Sequence, residues 1–251
     1  MGLDDIQALV FDMGGVLYDT PREITLMTRF IFKGLGLTQF LNYTDSQIEH
    51  VTKQIDEAFD KNLVKANVDS HWLPSYDDSV EYDRLLLETL GLKEDIDDMA
   101  SEAHRRWTNA YTRLKPKFME PCRAVLEALH YAGYSLGVAS NRRNDPLPPL
   151  QSDGILSLFD VVEYSCVPGY RKPSPYMLLQ VASKLGINPR KCAYVGDKVD
   201  PDMRAATNAE FLPILLVWCA HEEAAKAPDG ILVIENIDEL RHLLPMPDKA
   251  R

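Results

Sequence analysis

The sequence predicts an α/β protein: a doubly wound parallel sheet interrupted, just after its first strand, by an inserted helical domain. Three observations predict this. From Pro116 onward, short apolar runs alternate with stretches of helical period, and strands that alternate with helices form parallel sheets covered on both faces. Residues 6–11 form one more such run, far from the others along the chain. Between them, residues 21–115 carry helical periodicity and almost no strand pattern. The expected division is a core of residues 1–20 and 116–251 with a helical insertion at 21–115. At 251 residues the chain is long enough for both.

Taken in order, Ile6 to Phe11 is short, mostly aliphatic and uncharged, as a strand buried on both faces must be. In the insertion, Ile24, Met27 and Ile31 share a helix face, as do Ile48, Val51, Ile55 and Phe59. Its clearest stripe is Met99, Ala103, Trp107, Ala110, Tyr111 and Leu114, while Pro, Ser and Asn make residues 61–78 read as a loop between helices. Beyond Pro116, a helix buries Cys122, Val125, Leu126 and Leu129 and ends near Gly133. Strands then follow at 135–140, 160–165, 192–197, 213–218 and 230–234. A helix carrying Leu178, Val181, Ala182 and Leu185 precedes the third of these, and Asn236 with Glu239 marks a capping box on the last helix.

Composition narrows the function. Apolar residues make up 45% of the chain and charged residues 26%, ordinary values for a globular protein. A net charge of −11 argues against nucleic acid or an anionic membrane as a general partner. No basic segment followed by an apolar one stands near residue 1, Ile6 occupies the place where a myristoylation signal has Ser or Thr, and "FLPILLVWCA" (211–220) is too short to span a bilayer. A cytoplasmic protein is expected. Cys122, Cys166, Cys192 and Cys219 form no CxxC pair and read as free, buried thiols.

Open α/β sheets bind ligands outside the carboxyl ends of their strands. At those ends stand Asp12, then Ser140 and Asn141, then Asp197 with Asp200 and Asp202 close behind. "GYRKPSP" (169–175) adds Lys172, followed by a proline expected to open a helix. This inventory suits phosphoryl transfer. Carboxylates hold a hard cation such as Mg²⁺. One carboxylate can attack phosphorus, while a hydroxyl, backbone N–H groups and an ammonium bind the phosphate oxygens. Each residue alone has a plainer explanation: Asp12, Ser140 and Asn141 as caps, Lys172 as a solvated lysine, and Asp200 as the cap of a helix starting at Pro201.

Their order is more telling. "VFDMGGVL", "GVASN", "GYRKPSP" and "GDKVDPD" resemble, in sequence, the four motifs of the haloacid dehalogenase (HAD) superfamily, over residues 6–20 and about 118–220. The resemblance implies a Rossmann-like core with a helical cap inserted between motifs one and two. It implies Asp12 as nucleophile, with Ser140, Asn141 and Lys172 on the phosphate. Asp12, the Gly14 carbonyl, Asp197 and Asp202 would form or support a Mg²⁺ site. The substrate would be a small phosphorylated metabolite. One departure stands out. Most phosphatases of the family carry a second aspartate two residues after the nucleophile, as acid and base; here that residue is Gly14. Three readings therefore stay open: a phosphatase, a dehalogenase or phosphonatase-type relative, and a non-catalytic or weakly active metal- and anion-binding regulatory protein. Arg22, His71, Trp72, His104, Arg105 and Arg106 in the insertion, with Arg142 and Arg143 after motif two, are candidates for a second anionic group.

Overall fold

The computed structural model describes residues 2–19, 23–113 and 116–246, the side chains of residues 23, 24 and 110–113 apart. The chain divides into two compact units, residues 1–20 with 116–251 and residues 21–115.

In the first unit, β1 (Ala8–Phe11) is followed by α1 to α4 of the second unit and then by α5 (Pro121–Tyr131), β2 (Ser135–Asn141), α6 (Leu147–Ser152) and β3 (Val161–Ser165). Then come α7 (Tyr176–Leu185), β4 (Cys192–Gly196), α8 (Arg204–Asn208), β5 (Leu212–Leu216), β6 (Leu232–Ile234) and α9 (Leu240–Leu243). All six strands are parallel, in the order β3-β2-β1-β4-β5-β6. The chain winds outward from β1 through β2 and β3, then returns to the other side of β1. The crevice at this reversal, between β1 and β4, is where such sheets bind ligands.

Alternation explains why β1 is apolar throughout. Leu9 and Phe11 pack on one face with Val125, Leu126 and Leu129 of α5, while Ala8 and Val10 pack on the other with Leu178 and Val181 of α7. One close approach is on that second face. A Cβ added to Gly137 of β2 would lie 2.9 Å from Val181 Cγ1. Helix ends follow the residues present: Pro121 opens α5, Gly186 closes α7 at φ 68°, and the Asn236–Glu239 box caps the turn leading into α9. Cys122, Cys166 and Cys192 are buried, Cys219 is half-buried, and none of the four is joined in a disulfide.

The second unit contains α1 (Glu23–Gly34), α2 (Asp45–Ala66), α3 (Tyr76–Thr89) and α4 (Ile96–Arg113) around Phe32, Leu37, Ile55, Leu86, Leu87 and Ala100. Residues 61–66 and 76–78 are helical, not loop. Leu63 extends the buried line of Ile48, Ile55 and Phe59, and α2 stops only where Asn67 turns left-handed at φ 49°. The polar residues that suggested a loop, Ser75 and Asp78, are the capping box of α3. On α4 the buried residues are Ala100 and Ala103, with Met99 and Trp107 half-buried. The side chains of Ile24, Ala110 and Tyr111, and Leu114 and Arg22 altogether, lie outside the described residues. Among the described residues no helix is long and apolar enough to cross a membrane.

The tight approach at Gly137 gives a test. Gly137→Ala should destabilise the protein by about 1–3 kcal/mol through overpacking. The double variant Gly137→Ala/Val181→Ala should lose less than the sum of its two single changes, because the second makes room for the first. Additive losses in denaturant unfolding would contradict the contact.

Candidate active site

Asp12 leaves β1 with its backbone still paired: its N–H donates to Val195 O of β4 at 2.9 Å. The next turn is held from several directions. Met13 N–H donates to Asp12 Oδ1 at 2.8 Å, Tyr18 N–H to Met13 O at 2.8 Å, and the Trp218 indole N–H to Gly15 O at 2.8 Å. Gly15 is required on two counts. Its φ is +71°, and a Cβ there would stand 2.2 Å from Asp197 Oδ2. Gly14 differs. It lies outside the positive-φ glycines, pairs with Tyr18 in an isolated bridge, and has no atom within 4 Å of where a Cβ would sit, chain neighbours aside.

At the end of β4, Asp202 turns the acidic loop back on itself. Its Oδ2 accepts the N–H groups of Asp197 (3.2 Å) and Lys198 (3.1 Å), and a Cβ at Gly196 would meet Asp202 Cβ at 2.5 Å. The buried Glu223 accepts the Val199 N–H at 2.8 Å and so ties down the same loop. Asp200 does not cap a helix at Pro201. It lies at a non-helical φ of −116° in an irregular turn, pairs with Arg204 at 3.1 Å, and the helix proper begins at Arg204.

Lys172 enters from the loop before α7, which starts at Tyr176 and not at Pro173. Asn141 sets that loop with two bonds. Its Nδ2 donates to Lys172 O (2.8 Å) and its Oδ1 accepts the Lys172 N–H (2.9 Å), so its amide serves here as a clamp on backbone. The Lys172 side chain is then 1% exposed. Its Nζ lies 2.8 Å from Asp202 Oδ1 and 3.2 Å from Asp12 Oδ2, and it donates to the hydroxyl of Tyr194, which itself donates to Ala139 O at 2.9 Å. Ser140, next to Ala139, is buried at 5% exposure, and its hydroxyl has no hydrogen bond among the described residues.

The structure thus brings Asp12, Ser140, Asn141, Lys172, Asp197 and Asp202 to one rim. Burial, then the neighbouring Asp202 and Asp12, push Asp197 up to about 7. Asp202 is also raised, chiefly by burial. Burial acts to lower Lys172, but the two carboxylates beside it outweigh that and hold it above its ordinary value. Three carboxylates against one ammonium leave an excess of negative charge. One oxygen from each of Asp12, Asp197 and Asp202 lies within 4.8 Å of the others. An octahedral Mg²⁺ places neighbouring oxygens about 3 Å apart and opposite ones about 4 Å apart. Asp202 Oδ1 is buried and, although near Lys172 Nζ, is not aligned with it in a hydrogen bond. An all-oxygen, electron-rich set with an under-used acceptor fits a hard divalent cation.

Tyr194, Glu223 and Trp218 were not foreseen. For Tyr194 a signal exists: a phenol inside the buried run "CAYVG" needs a partner for its hydroxyl. In the second unit the candidate residues have partners of their own. Arg105 and Arg106 both pair with Glu102 (2.6 Å each), His104 Nδ1 lies 3.2 Å from Asp83 Oδ2, His71 lies near Asp69, and Trp72 packs on Phe59. In the first unit, Arg142 reaches Asn144 Oδ1 at 3.0 Å and Met13 Sδ at 2.7 Å.

Residues 6–210 match the family model of the haloacid dehalogenase-like hydrolases. The chain is 26% identical to a glyceraldehyde 3-phosphate phosphatase of Methanopyrus kandleri over 95% of its own length and 96% of the relative's. It is 28% identical to a phosphoglycolate phosphatase of Aquifex aeolicus over 90% and 92%. The crystal structure of a HAD-superfamily hydrolase, subfamily IA, from Geobacter sulfurreducens superposes with a TM-score of 0.63 at 19% identity, covering 97% of this chain and 99% of that one, and so shows the shared fold.

With Asp197 pushed up to about 7, a Mg²⁺ ion binding there below that pH would have to displace its proton. Mg²⁺ affinity, measured by calorimetry, should therefore rise from pH 6 to pH 8, by up to about tenfold per unit at the acid end. It should drop sharply in Asp197→Asn. Affinity independent of pH, or unchanged in the variant, would count against the site.

Proposed function

The chain belongs to the haloacid dehalogenase-like hydrolases, and from that premise we propose that it is a Mg²⁺-dependent phosphatase of small phosphorylated metabolites, working through a phosphorylated Asp12. The observation that carries this reading is the contact of Asp12 Oδ2 with the buried Lys172 ammonium at 3.2 Å. It sets a carboxylate at a rim whose other groups bind anions and cations. The curated relatives named as phosphatases support the reaction class.

Asp12 is the nucleophile. The Met13 N–H on Oδ1 and the Lys172 ammonium on Oδ2 fix the plane of its carboxylate, so one orientation meets the incoming phosphorus. The unengaged Ser140 hydroxyl and the Lys172 ammonium bind phosphate oxygens and gain strength as charge builds on them. Asn141 acts one step back, holding the backbone of Lys172. When bound, the cation would be held by Asp12, Asp197, Asp202 and the Gly14 carbonyl, and would supply neutralisation between the attacking carboxylate and the phosphate dianion. The second unit, in this reading, corresponds to the family's inserted helical cap.

Release of 4-nitrophenol from its phosphate tests the proposal, since that leaving group demands little from an acid. Asp12→Asn should abolish Mg²⁺-dependent release while the fold is retained. A rate near the parent's would rule out the nucleophile, and no release from the parent itself would favour a non-catalytic binding protein. Lys172→Ala should cost on the order of 10²-fold in rate, and a near-neutral result would remove Lys172 from the site.

A further inference from the structure

We propose that this site acts on phosphates whose leaving group departs without a proton, acyl phosphates above all, and that phosphorylated Asp12 outlives the release of the first product. The inference rests on the reading of Asp12 as nucleophile and goes further by naming the substrate class.

It begins with a count of proton donors at the rim of the first unit. Asp12 is consumed as the attacking group. Asp197 and Asp202 must be ionised to hold a cation. The Lys172 ammonium lies at ion-pair distance from Asp12 and Asp202 and donates to Tyr194, and the one hydroxyl proton of Tyr194 is given to Ala139 O. Asp19, the next acid along the chain, is used as an acceptor, its Oδ1 taking the Lys117 N–H at 2.7 Å. Two residues after Asp12 stands Gly14, and around the place its Cβ would occupy no other part of the described chain comes within 4 Å. No neighbouring side chain has moved in to replace the missing one. Among the described residues, the rim therefore has a nucleophile, an anion-binding set and a cation-binding set, but no acid beside Gly14.

What such a site can cleave follows from the leaving group. In the first step an Asp12 oxygen gives an electron pair to phosphorus, and the bond from phosphorus to the leaving oxygen breaks with its pair on that oxygen. An alkoxide is too basic to leave near neutral pH without a proton. A phenoxide, whose acid ionises near about 10, leaves more readily, and a carboxylate, whose acid ionises near about 4, leaves as it is. A positioned acid is worth about 10²–10⁴-fold, so alkyl phosphates bear the whole of that loss and acyl phosphates almost none of it.

The second step cannot be eased by choice of substrate. Water attacks phosphorus, the bond to Asp12 breaks to return its carboxylate, and both protons of the water end on the released phosphate, which re-equilibrates with solvent. The attacker is the same water whatever the substrate was, and beside Gly14 the described chain places no base to take its proton. With a fast first step and an unassisted second one, phosphorylated Asp12 accumulates.

The test uses the full chain with Mg²⁺ on acetyl phosphate, a series of substituted phenyl phosphates of graded acidity, and 2-phosphoglycolate as the alkyl case. The phenyl series separates leaving-group acidity from fit to the pocket. Expected are a steep rise of kcat/KM with leaving-group acidity across the phenyl series, acyl turnover at least about 10²-fold above alkyl, and a rapid burst near one equivalent of product per site. An intact-mass gain of one phosphoryl group should appear in the parent and be absent from Asp12→Asn. Gly14→Asp has room and no positive φ to resist it. It should flatten the phenyl series, raise the alkyl rate most and shrink the burst. A flat phenyl series, an alkyl rate within about tenfold of the acyl rate, or turnover with no burst would overturn the inference while leaving the phosphatase reading in place. No turnover and no phosphorylated protein with any of the substrates would overturn both.

Discussion

One buried ammonium organises the carboxyl end of this sheet. Sealing a lysine from water costs several kcal/mol unless its charge is met, and Lys172, 2% exposed, is met by Asp12 from β1 and Asp202 from the loop after β4. Three segments distant in sequence are thereby fixed to one point: residues 12–18, the loop before α7, and the acidic loop. Supporting contacts serve the same end. Asn141 holds the backbone of Lys172, Tyr194 accepts from its ammonium, and Asp202 sets one oxygen beside the ammonium and gives the other to the backbone of its own loop. The glycines follow from this crowding. Gly15 and Gly196 lie where a Cβ would collide with the carboxylates of Asp197 and Asp202.

The same arrangement sets the electrostatics. The ammonium balances one of three carboxylates, leaving a repulsion that adds to the larger effect of burial in pushing Asp197 up to about 7. A protein free to relax it would separate these groups or neutralise one of them. Here the strand order forbids it, because Asp12 and Asp197 follow directly from adjacent strands whose register pairs Phe11 with Val195. The fold holds like charges together, and such a cluster is best satisfied by a cation from outside the chain.

Much of this was legible in the sequence because it is written in local patterns. The apolar run before Asp12, the alternation after Pro116 and the residues at strand ends sufficed to predict the parallel sheet and to point to the rim where these side chains meet. What the sequence hid depends on contacts across long separations. Nothing near Asn141 says that its amide will clamp a residue 31 positions away, and nothing near Glu223 says that it will hold Val199, 24 positions back. Residues 61–78 misled for a different reason. Ser75 and Asp78 favour turns and caps equally, and only the packing of Leu63 decides where the helices end and begin. In the second unit, the arginines that suggested anion binding share Glu102 as partner, a pairing at helical spacing that is as common on solvated faces as in pockets.

The central claim is that Lys172 and its neighbours prepare Asp12 to carry a phosphoryl group. The most direct measurement is a crystal structure of the protein with Mg²⁺ and beryllium fluoride, which forms a stable tetrahedral adduct on a carboxylate oxygen in the place of a phosphoryl group. The account predicts the adduct on Asp12, with Lys172 Nζ and Ser140 Oγ on its fluorines and Mg²⁺ on the carboxylates of Asp12 and Asp197. An adduct on another side chain, or Mg²⁺ in place among these aspartates with Asp12 left unmodified, would contradict it.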